Sequence, residues 1–84
     1  MLDLTCQRVR VLEPTWFYLT TDRRGCLHGK PVMGYPPMCG TVINSGPAMV
    51  LVQAEYTLAD ESGRRFAWIP RENVAVIVPN LKEI

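Results

Sequence analysis

The sequence predicts a small all-β domain, and three features make that prediction. Apolar and polar residues alternate over short stretches, clusters of Gly, Pro, Asn and Asp separate those stretches, and no window carries the repeat of an amphipathic helix. A chain of 84 residues makes one domain, positions 1–84, the natural unit, and 48% apolar residues suffice for one core. Five to six short antiparallel strands with turn signals between them point to a small barrel or sandwich.

The first strand is expected at Gln7–Leu12, where Val9 and Val11 interleave with Arg8 and Arg10, so one face is buried and one is wet. Glu13–Pro14 interrupts it. Thr15–Thr21, "TWFYLTT", is rich in aromatic and β-branched residues and reads as a second extended segment. Asp22–Gly25, "DRRG", has the Asp-first, Gly-last order of a type I turn. The following stretch, dense in Gly and Pro, predicts a long ordered loop over about 22–39.

Gly40–Asn44 predicts a short strand, and Asn44–Pro47 a turn. Met49–Leu58 predicts the longest strand, apolar on both faces in its first half and therefore central. Ala59–Gly63 is a polar hairpin turn. Arg64–Ile69 returns, with Phe66 and Trp68 on one face and Arg65, Ala67 and Ile69 on the other. Val74–Val78 is the last strand, and "PNLKEI" is a tail or a single turn.

Between the last two strands stands "AWIPRENVAVI". It resembles the closing segment of an SH3 barrel, in which a Pro leads a 3₁₀ turn between the fourth and fifth strands. Pro70 fixes φ near −65°, ready for such a turn over Pro70–Asn73. Ile69 and Val74 then plug the barrel from either side. The resemblance also implies that Glu13–Cys39 replaces the irregular hairpin called the RT loop, with "WFYLTT" as one arm. Polyproline-binding SH3 domains have Tyr where this chain has Asn73, Trp where it has Ala48 and Met49, and an early aromatic motif that it lacks. The resemblance is therefore to SH3-like small barrels of the bacterial and phage type, without the aromatic groove that holds polyproline peptides.

Composition narrows the function classes. A net charge of +1 gives no global attraction to nucleic acid or membrane, and no apolar run approaches the ~20 residues of a membrane span. No secretory signal pattern opens the chain, so a cytoplasmic location is expected. Three cysteines, an odd number, fit reduced thiols better than a disulfide framework.

Cys6, Cys26, His28 and Cys39 have the residue types of a zinc site but not its spacing, and small buried thiols are the simpler reading. Cys26 or Cys39 with His28 offers a nucleophile and base with no surrounding signature. No metal, cofactor or catalytic residue is therefore expected. Phe17 and Trp68 are expected in the core. Trp16, Tyr18, Tyr35 and Met38, on or beside the rigid Pro-rich loop, are the candidate anchors of a non-catalytic protein-interaction module. Self-association is a second expectation, because a small barrel has edges to cover. The alternative is a nucleic-acid-binding barrel using Arg23, Arg24, Arg64 and Arg65, although acidic residues stand beside each pair.

Overall fold

The computed structural model describes residues 3–55 and 65–77. It is an all-β domain, with no α-helix among those residues and therefore none able to cross a membrane. The expected positions Tyr56–Leu58, the turn Ala59–Gly63, Arg64 and the tail after Ile77 lie outside the described residues.

Strand β1 (Arg8–Val11) follows its alternation, with Val9 and Val11 buried and both arginines exposed. A hairpin follows, formed by β2 (Thr15–Phe17), β3 (Thr20–Thr21), β4 (Leu27–His28) and β5 (Val32–Gly34). Then come β6 (Met38–Ser45), β7 (Met49–Ala54), β8 (Phe66–Pro70), a 3₁₀ turn at Arg71–Asn73, and β9 (Val74–Val76). The main sheet has the order β8-β7-β6-β1-β9, every described pairing in it being antiparallel. No ladder joins β8 to β9 among the described residues, so the sheet does not close into a continuous barrel.

The inner face carries the core: Val9, Val11, Val42, Val50, Val52, Ala54, Ala67 and Ile69, with Leu4, Phe17 and Met38 packed among them and Val74 at the margin. Leu51, on the opposite face of β7, is buried separately beside its cross-strand partner Trp68. The strand is central as expected, and its outer face is covered at Leu51 while Met49 on the same face is exposed.

Two sites need glycine or a bulge. Gly40 sits where β6 is squeezed between β1 and β7. Three residues on, the β6–β7 register shifts between Val42 and Asn44, leaving Ile43 as the bulged, exposed residue.

The turn signalled by "NSGP" falls one step later than expected. Asn44 and Ser45 remain in β6, and the Gly46 N–H donates to the Met49 carbonyl at 2.9 Å. Arg71 fastens this turn to the 3₁₀ segment: its Nε donates to the Gly46 carbonyl at 2.8 Å and its Nη2 to Ser45 Oγ at 2.7 Å. Ser45 Oγ also accepts the Leu4 N–H at 3.0 Å. Pro70, with φ −55° and ψ 142°, leads the 3₁₀ turn as expected. At the β8 edge, the Phe66 N–H and C=O are both taken by Tyr18, and Pro70 offers no donor, so this edge is blunted against further pairing.

Candidate functional site

The stretch expected as a loop over 22–39 is mostly the returning arm of the hairpin. Thr15, Trp16 and Phe17 pair with Gly34, Met33 and Val32, and Thr20 and Thr21 pair with His28 and Leu27. Met38 and Cys39 already belong to β6. Pro and Gly hide this pairing in the sequence, because the arm lacks the alternation that marks a half-wet strand.

The tip is built by Asp22. Its N–H donates to the Cys26 carbonyl at 3.0 Å, and its own carbonyl accepts the Gly25 N–H at 3.0 Å. Its carboxylate Oδ1 accepts the N–H groups of Arg24 and Cys26, each at 2.9 Å, and Oδ2 meets His28 Nε2 at 3.2 Å. These bonds, the Cys26 N–H foremost and then His28, hold the Asp22 carboxyl below the ordinary aspartate range. A carboxyl whose folded pKa is depressed adds order that is present above its unfolded pKa and lost as pH falls through the lowered value. The amide exchange of Arg24 and Cys26, normalised for the intrinsic pH dependence, is therefore expected to rise only below the usual aspartate range. Asp22→Ala should give the raised value at neutral pH, and amide protection unchanged by that substitution would contradict this reading of the tip.

Gly25 adopts φ +85°, and a Cβ there would stand 2.8 Å from Trp68 Cζ2. Glycine thus provides both the left-handed turn and the room for the indole. Trp68 Nε1 donates to the Gly25 carbonyl at 2.6 Å, which latches the hairpin tip onto the outer face of β8. Trp68 is therefore half-buried beneath the tip instead of joining the main core. The reason is alternation: Arg65, Ala67 and Ile69 take the inner face, so Trp68 must face outward.

Burial separates the candidate anchors. Trp16 is 54% exposed and Tyr35 69% exposed, while Tyr18 is half-buried. Met38 is not a surface residue. It pairs with Val11 and lies in the core near Phe17 and Gly34, because β6 starts two residues before Gly40 and directs Met38, Gly40 and Val42 inward.

Of the four arginines of the nucleic-acid alternative, three lie among the described residues. Arg65 is buried, and its Nη1 donates to the Lys30 carbonyl at 3.1 Å, so it ties β8 to the hairpin. Arg64 lies outside the described residues. Arg23 and Arg24 are exposed at the tip, beside Asp22.

The thiols also depart from expectation. Cys6 is exposed, in a left-handed turn with φ 71°, and its N–H donates to the Val42 carbonyl at 2.7 Å. Leu4 takes the buried position instead. Cys26 is exposed and Cys39 partly buried, and all three thiols are free. Among the described residues, no three His, Cys, Asp or Glu side chains come together as a metal site.

One surface was not visible from single residues. In the β2–β5 ladder, Phe17 faces the core and Trp16 pairs with Met33 on the other side. Extending the alternation by two residues in each direction adds Pro14 and Tyr18 on one strand and Pro31 and Tyr35 on the other. Among the described residues these six positions carry no charge, and the exposed Glu13 and Lys30 stand next to Pro14 and Pro31 in the chain. The signal that could have found it is the matched spacing of "PTWFY" and "PVMGY". Comparison with protein-family models, curated proteins and solved structures gives no match.

Proposed function

We propose that this domain is a non-catalytic protein-interaction module on an SH3-like scaffold, working through the outer face of its β2–β5 hairpin. The observation that carries the reading is the exposure of Trp16 and Tyr35 on a paired ribbon whose other side is fixed in the core by Phe17. Large apolar groups on a soluble surface mark contact sites when they form a contiguous face. Aromatic groups already held in position lose little entropy on binding.

The scaffold assignment is supported by the strand order β8-β7-β6-β1-β9, by the hairpin inserted between β1 and β6, and by the 3₁₀ turn between β8 and β9. Asn73 in that turn leaves no aromatic side chain for a polyproline groove. Burial of Arg65 weighs against a nucleic-acid surface built from all four arginines.

Selection from a displayed random-peptide library tests the reading. The domain is expected to enrich apolar, aromatic-containing peptides. Trp16→Ala should weaken them by about 30-fold, in line with the ~2 kcal/mol or more of an aromatic hot spot, without lowering the thermal midpoint. Failure to enrich any peptide, or equal binding by Trp16→Ala, would contradict it.

A further inference from the structure

We infer that the hairpin face takes an extended peptide with oppositely charged ends: a Lys or Arg at the Pro14 end, an Asp or Glu at the Pro31 end, and apolar side chains at alternate positions between them. The inference rests on the functional reading above and names the chemistry of the partner.

The ladder sets the spacing. Thr15, Trp16 and Phe17 pair antiparallel with Gly34, Met33 and Val32. Alternation gives the outer side three rows: Pro14 with Tyr35, Trp16 with Met33, and Tyr18 with Pro31. Successive rows are two residues apart, so they repeat about every 7 Å and span about 14 Å. Side chains on one face of an extended chain have the same repeat, and five residues cover the three rows. A helix advances about 5.4 Å per turn and is roughly 3 Å out of step by the third row.

The charges set the direction. Glu13 precedes Pro14, and Lys30 precedes Pro31. Because the strands are antiparallel, these two residues fall at opposite ends of the ribbon. Both are exposed, and neither has an ion-pair partner among the described residues. Glu72 adds to the acidic end. The Leu12 N–H donates to the Asn73 carbonyl at 2.9 Å, so Glu13 and Glu72 each stand one residue from that bond, and Glu72 is exposed. The hairpin tip lies beyond the other end and adds the exposed Arg23 and Arg24. The one carboxylate there, Asp22, already accepts the Arg24 and Cys26 N–H groups and meets His28.

The ribbon is therefore acidic at its base and basic toward its tip. A nucleic acid, negative along its whole length, would meet Glu13 and Glu72 at one end. A uniformly basic peptide would meet Lys30, Arg23 and Arg24 at the other. A peptide of mixed charge satisfies both ends, and complementary rim charges of this kind select partner and register.

Fluorescence anisotropy with three labelled peptides tests this, the domain being raised to about 1 mM. The first is Lys-Phe-Ser-Phe-Ser-Phe-Glu, and the other two carry Lys at both ends or Glu at both ends. The mixed-charge peptide should bind about three- to tenfold more tightly than either like-charged one, a modest factor because exposed ion pairs are weak. The preference should fade in about 0.5 M salt. Lys30→Glu should shift the preference toward the peptide with two Lys ends, and Glu13→Lys combined with Glu72→Lys toward the peptide with two Glu ends. All of these positions are exposed, so the thermal midpoint should stay near wild type. Equal binding of the three peptides, no binding by any of them, or folded variants that keep the wild-type ranking would overturn the inference. So would a chain that sediments as a dimer and excludes the peptides, which would make a second copy the occupant.

Failure of the two readings is distinguishable. Library-selected peptides that depend on Trp16 but show no charge order overturn only this inference. A domain that selects no peptide overturns both.

Discussion

Phe17→Ala is expected to cost about 3–5 kcal/mol of stability, as large aromatic truncations in cores do. Phe17 has no exposed surface, and it is the residue through which the hairpin enters the core. Its ring lies against Gly34, where an added Cβ would meet Phe17 Cδ1 at 3.0 Å. Small domains have a total stability of about 5–15 kcal/mol, so this variant should be partly unfolded or close to it. The neighbouring substitution Trp16→Ala should stay within about 0.5 kcal/mol, because it removes an exposed side chain. Denaturant unfolding of the two variants reads the contrast. Equal losses would mean that the ribbon does not present one residue inward and the next outward.

Gly40→Ala is the second large effect. A Cβ at Gly40 would lie 2.5 Å from Val52 Cγ1 and 2.6 Å from the Gln53 carbonyl oxygen. A side-chain methyl can rotate away, but a backbone carbonyl in a ladder cannot. Gly40 also pairs with Val9 and Ala54, so relief requires β6 to part from β7 within the most deeply packed region of the sheet. Overpacking of this kind costs about 1–3 kcal/mol or more. For a domain of this size, each kcal/mol shifts the thermal midpoint by about 4–8 °C. A midpoint drop of roughly 10 °C or more is expected, and a wild-type midpoint would contradict the close approach of the strands.

Much of the sheet was legible because its strands have one wet face. Val9 and Val11 against Arg8 and Arg10 fix β1, and the Pro-led turn after Ile69 announces the 3₁₀ segment that separates β8 from β9. The errors share a physical origin. Where both faces of a strand carry apolar residues, alternation disappears from the sequence, and the returning arm with its prolines and glycines reads as loop. Met38 looks like a surface anchor when it is assigned to that loop, and becomes core once β6 begins at Met38.

Trp68 and Ile69 are adjacent on one strand, so both cannot enter the same core. The arginine that shares a face with Ala67 and Ile69 must then be buried, a consequence of the alternation that charge alone obscures. The outer apolar face needed the register itself. Only the pairing of Trp16 with Met33 shows that two separate aromatic stretches lie side by side.

The central claim is that this hairpin face is where the domain makes its contacts. Backbone amide chemical shifts followed as a library-selected peptide is titrated into the domain test it most directly. The account predicts peptide-dependent shifts confined to residues 14–18 and 31–35, with Arg8–Val11 and Val74–Val76 unchanged. Shifts concentrated on β1 and β9, or spectra that the peptide does not change, would contradict it.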